Sequence, residues 1–528
     1  MAIVCNLKSK IPVANRLMKS KKMSNSARLA ALGATVLLGG CYSYAPAPVV
    51  TTGDTFTKIA EGEHRLLPGD TKVLSLEQAT RISLENNPDF NSKHHAITAA
   101  WATYYAALSS YFPTITGSYQ FSNSFATPTG QINTPGYNTS KNLSNDFALQ
   151  AQWTIFDGLM REMNMLSAKH SAKQSEAQDD DARRLLIQSV ATAYNNVLLA
   201  KENIRIAQSD REFQEKQLRE TQLKYDAGAT PLSDVLNFQA KANDAEASLV
   251  TYNYSLSTAK YALAALMGLT EVKLPDTVEF PAMEQLGNTT LMDVGIYLDM
   301  SLANRPDLRA YREALTAAEY TLYSRWGAFS PSITANGSLG WASDLTRYRM
   351  REGRTYEGSS SYRAYYNNST ASYGVTTSWT IFDGTTRWAN IRYAQAQVAE
   401  NEFNVASIWI TVISEVRQAY DNYIQYVKQT AIYDRNLKIA TKQRDLVEEE
   451  YRAGSASLTR LNEVQNELVK AESRWVSSLV NVQNAKVQLE TVTNSSKMAA
   501  AAPTPAQQPL PDALAPAIMP AAPAAKQP

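Results

Sequence analysis

The sequence predicts an α+β membrane protein built by tandem duplication, each copy carrying two β-strands and a pair of very long coiled-coil helices. Three observations predict it. Four short motifs recur in one order at near-constant spacing, an alternation of period two appears beside them, and no Pro occurs from Gly158 to Gly228.

At 528 residues, 44% hydrophobic and 19% charged, the chain can bury a large core, and length alone would split it into three or four domains. The duplication replaces that division. Lys and Arg total 51 against 50 Asp and Glu, which excludes a polycation that binds nucleic acid. Two cysteines, Cys5 and Cys41, exclude a disulfide framework and a Cys-rich zinc site.

Residues 1–40 read as an export signal. Lys8, Lys10, Arg16, Lys19, Lys21, Lys22 and Arg28, with no acid among them, precede the apolar run Leu29 to Leu38, which is too short to span a bilayer. The run ends Leu38-Gly39-Gly40-Cys41, similar to a bacterial lipobox, so Cys41 is expected to be lipid-modified and to begin the mature chain. An ordinary cleaved signal with an incidental Cys is the alternative. Removing the signal takes the formal net charge from +1 to −6. Residues 41–70 read as a linker from the anchor. At the other end, 8 of the 21 Pro fall between Pro503 and Pro528, so residues 497–528 read as a disordered Ala/Pro tail.

The body divides into repeats at 71–283 and 284–496. Asn87-Pro88-Asp89-Phe90 recurs as Arg305-Pro306-Asp307-Leu308, and Phe112-Pro113-Thr114-Ile115 as Ser330-Pro331-Ser332-Ile333, both 218 residues on. Trp153-Thr154-Ile155-Phe156-Asp157-Gly158 recurs as Trp379-Thr380-Ile381-Phe382-Asp383-Gly384, and Tyr225-Asp226-Ala227-Gly228 as Tyr451-Arg452-Ala453-Gly454, both 226 on. The difference places one eight-residue insertion between the second and third motifs.

From Thr114 to Phe125 the apolar Ile115, Tyr119, Phe121 and Phe125 alternate with Thr, Ser and Gln, the period of a strand. The runs Phe147 to Ile155, Ile333 to Trp341 and Tyr373 to Ile381 repeat it. Each is about 9 to 12 residues, the length of a tilted membrane-spanning strand, with no charge on its polar face. Trp153, Trp341 and Trp379 near strand ends would suit an aromatic girdle. The segment Asp344 to Thr370, rich in Tyr, Arg, Ser and Asn, reads as a long external loop.

A helix from Gly158 to Gly228 would run roughly 100 Å at ~1.5 Å per residue, far more than a globular core needs. After the turn, Val235, Ala242, Leu249, Leu256 and Leu263 stand seven apart, and Leu461, Leu468, Trp475, Val482 and Leu489 repeat the seam 226 residues on. That heptad predicts antiparallel packing on the preceding helix. Gly228 and Gly454 would end the ascending helices in the left-handed conformation. Thr230 and Pro231 would then restart a helix as N-cap and first residue, and Asp157 and Asp383 would cap the helices that follow the strands.

Four strands are too few to close a membrane barrel, so the chain must oligomerise. Two copies would supply eight strands and three would supply twelve, around a polar lumen.

Together these residues resemble the TolC-type outer-membrane efflux proteins, in particular their lipid-anchored branch. The resemblance covers nearly all of residues 71–496 and rests on the duplicated Pro-x-Ile and Trp-Thr-Ile-Phe-Asp-Gly motifs, the Tyr-x-Ala-Gly tips and the Cys41 lipobox. It implies a homotrimer with a twelve-stranded β-barrel in the outer membrane, four strands per chain, on a trimeric α-barrel that extends into the periplasm. A periplasmic adaptor (membrane fusion) protein and an inner-membrane transporter would dock at the tips, here Tyr225, Gly228, Thr230, Pro231, Tyr451 and Gly454. Tyr451 matches a tyrosine that helps to hold the closed state. Arg460 and Glu463 fall where some members carry two acids at the constriction, and only Glu463 keeps the acid. On an isolated coiled coil the same pair would be a solvated ion pair.

The function implied is a passive exit channel for small solutes such as drugs, with a type I protein-secretion duct and a non-conducting lipid-anchored spacer as alternatives. His64, His94, His95 and His170 offer no metal-ligand spacing, and no nucleotide loop or nucleophile elbow occurs, so no cofactor, metal or catalysis is expected. Asp179-Asp180-Asp181, followed by Arg183-Arg184, reads as a solvated helix face.

Overall fold

A computed structural model of the protein describes residues 72–126, 137–275, 277–282, 291–351 and 359–495. The signal, Cys41, the linker and the Ala/Pro tail lie outside the described residues. The first copy contains α1 (Leu76–Asn86), α2 (Pro88–Ser109), β1 (Thr114–Ala126), β2 (Tyr137–Phe156), α3 (Met160–Asp226) and α4 (Leu232–Leu266). The second repeats the order as α5 (Val294–Asn304), α6 (Pro306–Gly327), β3 (Ser332–Arg351), β4 (Ser359–Ser378), α7 (Thr386–Arg452) and α8 (Leu458–Val492).

The recurring motifs stand at junctions. Asn87 caps α2, its side chain accepting from Phe90 N at 3.0 Å, and Pro88 and Pro306 occupy first helical positions, where a missing N–H costs nothing. α3 and α7 are each 67 residues long, uninterrupted as the absence of Pro predicts. α4 packs on α3 and α8 on α7. The seam residues Val235, Ala242, Leu263, Leu461, Leu468, Val482 and Leu489 are buried there. Gly228 and Gly454 have φ of +73° and +77° and close matching turns: Ala229 N–H donates to Lys224 O at 2.8 Å, and Ser455 N–H to Glu450 O at 2.9 Å.

The helix starts differ from expectation. Pro231 itself is the N-cap residue of α4, and the Thr230 hydroxyl donates to Asp234 Oδ2 at 2.7 Å, so Thr230 lies one residue outside the helix. α3 and α7 begin after Leu159 and Thr385, both in the left-handed conformation, two residues beyond Asp157 and Asp383. Gly158 and Gly384 also have positive φ, and two such residues carry the chain through a turn too sharp for the Asp to sit at the cap itself. The Asp383 carboxylate still accepts from Arg387 N at 3.1 Å.

The strands form one antiparallel sheet in the order β1-β2-β3-β4. β2 pairs with β3 and joins the copies, while β1 and β4 are edges. β2, β3 and β4 have 20 residues each and β1 has 13, longer than the sequence runs imply. Most of the segment expected as a loop from Asp344 to Thr370 is therefore strand, in unbroken register from Ser332↔Ser378 to Arg351↔Ser359, and only residues 352–358 join β3 to β4. Arg and Tyr replace aliphatic residues there, which hides the alternation. Trp341 accordingly stands mid-strand, and Trp379 lies one residue past β4.

The acidic run of α3 is not a solvated face. Asp179 and Arg184 are buried, and the Arg184 guanidinium binds Asp181 at 2.6 and 2.9 Å and the Thr491 carbonyl of α8 at 3.3 Å. Asp180 pairs with Arg309 of α6, and Asp179 stands 3.9 Å from His94 of α2. Three neighbouring helices converge on the run, and burial raises the Asp179 pKa despite His94.

Candidate functional site

The register sorts the strand residues onto two unlike faces. One carries Ile115, Tyr119, Phe121, Phe147, Leu339, Trp341, Tyr365, Tyr373 and Val375, all exposed in the single chain, Tyr373 to 96%. The other carries Thr116, Ser118, Gln120, Gln150, Ser338 and Ser372 in the same rows. Because the strands run further than expected, the polar face also holds two acids, Asp146 opposite Gln120 and Asp344 opposite Ser144. Among the described residues no helix is long and apolar enough to cross a membrane.

A paired clamp anchors the helices to this sheet. Arg161 donates to the carbonyls of Thr154 at 2.7 Å and Ile155 at 3.0 Å, pairs with Asp157 at 3.2 Å and lies over the Tyr111 ring. Arg387 repeats it 226 residues on, reaching Ile381 O and Ala328 O at 3.3 Å and Asp383 at 2.9 Å over the Phe329 ring. The motif tryptophans complete the clamp, Trp153 Nε1 donating to Tyr111 O at 2.9 Å and Trp379 Nε1 to Phe329 O at 3.1 Å. Sequence reasoning missed both arginines, although each follows its Asp by four residues in both copies.

At the far end of the helices the structure brings the two tips together. Phe238 of α4 is buried with Val447, Leu461 and Val464, and Tyr451 packs against that cluster. The Tyr451 hydroxyl stands beside Thr221, and its ring lies under Lys224, whose Nζ is 4.9 Å from the ring centroid. Burial raises the Tyr451 pKa, with Asp234 and Glu220 adding to the rise and Thr221 opposing it. Its counterpart Tyr225 is exposed. Lys216 reaches Glu448 at 3.5 Å, Asn462 donates to Asn237 at 3.0 Å and Gln465 to Asp210 at 2.8 Å. Arg460 and Glu463 pair with each other at 2.8 Å across the first two turns of α8, both side chains about half exposed, and Arg460 N donates to the Ser457 cap at 3.3 Å.

These features, a two-faced sheet continued by paired long helices, recur in known proteins. A family profile described as outer membrane efflux protein matches residues 80–269 and 297–495. The outer membrane efflux protein BepC of Brucella suis is 23% identical over 395 residues, covering 75% of this chain and 79% of that protein. The alkaline protease secretion protein AprF of Pseudomonas aeruginosa is 22% identical over 425 residues, 80% of this chain and 83% of that one. The structure of the outer-membrane channel OprN matches with a TM-score of 0.66 at 21% identity, over 80% of this chain and 90% of that chain. With both copies matched, the chain belongs to the outer membrane efflux protein family, whose place is the outer membrane.

Proposed function

We propose that three copies of this chain close a twelve-stranded barrel and serve as the exit duct of a tripartite efflux assembly, passing small solutes such as drugs to the exterior. The observation that supports this reading best is the two-faced, four-stranded sheet with both edges unpaired. In lipid an unpaired edge leaves backbone groups unsatisfied, and a neighbouring copy's edge satisfies them. The polar faces then line a wet lumen. Energy comes from an inner-membrane transporter, with a periplasmic adaptor docking at the tips around Tyr225, Gly228, Thr230, Pro231, Tyr451 and Gly454. Arg460 and Glu463 face the narrowing beyond the second tip. Each repeat, 71–283 and 284–496, supplies one strand pair and one pair of long helices, and Cys41 anchors the mature chain by lipid.

A second reading, the duct of a type I protein-secretion system, draws on AprF, a relative named for protease secretion. Cross-linking in cells followed by affinity capture separates the two. Recovery of an adaptor with a proton-driven pump supports solute efflux, and an ABC exporter with its adaptor supports secretion. Conductance in planar bilayers tests the duct itself, since a spacer gives none. Mass spectrometry of the mature N-terminus showing an unmodified Cys41 would sink the anchor, whereas Cys41→Ala should remove lipid and leave trimers.

A further inference from the structure

We propose that Lys141, Arg347 and Arg363 form a binding site on the outer wall of the barrel for the phosphorylated head group of an outer-leaflet glycolipid. The proposal rests on the reading above, in which the apolar face of the sheet meets lipid.

The register places Lys141 opposite Arg347 and Arg347 opposite Arg363, so three cations stand abreast on β2, β3 and β4. Residues directly opposite hold their Cβ atoms about 5 Å apart, and like charges so placed repel unless a counter-charge lies among them. All three are exposed, and none has an ion-pair partner among the described residues. The Lys141 ammonium lies 4.8 Å from the centroid of Phe125, its neighbour in the same row, which holds it against the sheet.

The level of the row identifies the ligand. By parity it belongs to the apolar face, and the row before it is Leu143, Leu345 and Tyr365. From Trp153 to Leu143 is ten residues along β2, roughly 34 Å at ~3.4 Å per residue. At a tilt of ~40° this spans about 26 Å of membrane normal, the height of the lipid-facing band of such barrels. The cations therefore begin where hydrocarbon ends. The helices α2, α3, α6 and α7 all join the sheet at its opposite end, so this is the external side, where glycolipid phosphates lie. Two guanidinium forks and an ammonium suit a phosphate monoester, and the adjoining row of Leu143, Leu345 and Tyr365 suits the start of its acyl chains.

The test compares wild-type protein with the Lys141→Gln/Arg347→Gln/Arg363→Gln variant, titrated with bisphosphorylated lipid A, its dephosphorylated form and inorganic phosphate, with bound species counted by native mass spectrometry. Wild type should prefer the phosphorylated lipid by about tenfold, and the variant should lose that preference. Inorganic phosphate at millimolar concentration should not displace the lipid. Equal binding by both proteins, no preference for the phosphorylated form, or displacement by inorganic phosphate would each overturn the proposal, the last by making this a site for free phosphate. Planar-bilayer conductance keeps the two readings apart. Wild type that conducts but shows no lipid preference overturns the lipid site alone, whereas wild type that does not conduct overturns the barrel and the site with it.

Discussion

The ring of Tyr451 lies 4.9 Å below the Lys224 ammonium with its hydroxyl beside Thr221, so the second helix tip is fastened to α3 of the first copy. Thr221 is 1% exposed, so its hydroxyl has little water to turn to once the Tyr451 hydroxyl is removed. Tyr451→Phe should destabilise the tip by about 1 kcal/mol, and Tyr451→Ala, which also loses the packing, by about 3 kcal/mol. If this contact favours a closed tip, both variants should raise conductance in planar bilayers, Ala more than Phe. A double-mutant cycle with Thr221→Val decides: strict additivity of the Phe and Val effects would show that the hydroxyl pair holds nothing.

The helices α3 and α7 each leave the sheet under an arginine that binds backbone carbonyls at the strand–helix junction, an aspartate and an aromatic face at once. Lysine keeps the charge and loses the fork. Arg161→Lys and Arg387→Lys should each cost about 2 kcal/mol, and the double variant about the sum, because each clamp has its own partners. Thermal unfolding followed by circular dichroism reads this. A lysine variant that melts with the wild type would reduce the clamp to a charge effect.

Asp146 and Asp344 are the charged residues of the polar face among the described strand residues whose side chains are placed. In a trimer they would set six carboxylates partway along the lumen. The wild-type channel should then favour cations, and Asp146→Asn with Asp344→Asn should lower the cation-to-anion permeability ratio about threefold. Reversal potentials across a KCl gradient measure it directly. An unchanged ratio in the double variant would mean that these acids do not face the conducting path.

Much of this architecture is legible in the sequence because the duplicated residues are those that make junctions. Pro88 and Pro306 begin helices, Gly228 and Gly454 end them, and of the heptad from Val235 to Leu263 the residues Val235, Ala242 and Leu263 are buried while Leu249 and Leu256 are half-buried. The strand ends are hidden for a physical reason: beyond Phe147 and Trp341 the same face carries Asn145, Ser343 and Asn367 and then Lys141, Arg347 and Arg363, so the apolar alternation breaks before the strands end. The run Asp179-Asp180-Asp181 was misread because its partners, His94, Arg309 and the Thr491 carbonyl beside Arg184, come from three other helices. Tyr451 and Thr221 likewise meet only through the fold. Arg161 and Arg387 were readable in principle, since they share the offset of the motifs they follow.

Arg305 supplies the pH dependence. Its side chain is 2% exposed and binds Asp307 at 2.5 and 3.0 Å and Glu415 at 2.5 Å, while Leu308 N donates to Asp307 at 2.8 Å. Burial pushes the Asp307 pKa up, but the Arg305 bonds and charge, helped by the Leu308 amide, outweigh it and hold the carboxyl below its ordinary 3.8. A lowered folded-state pKa contributes stability that is present above 3.8 and lost as pH falls through the folded value. Asp179 acts in the opposite sense: its raised pKa contributes stability that is full below 3.8 and lost as pH climbs through the folded value. Acid unfolding of the wild type alone therefore does not isolate Asp307, and the comparison must be with Asp307→Asn. That variant leaves a buried guanidinium with one carboxylate and should cost about 3 kcal/mol at pH 7. The deficit should shrink as pH falls below 4, because protonated wild-type Asp307 resembles Asn. Melting temperatures of the two proteins from pH 7 down to 2.5 check this, and a deficit that stays constant over that range would show that Asp307 stabilises by shape rather than by charge.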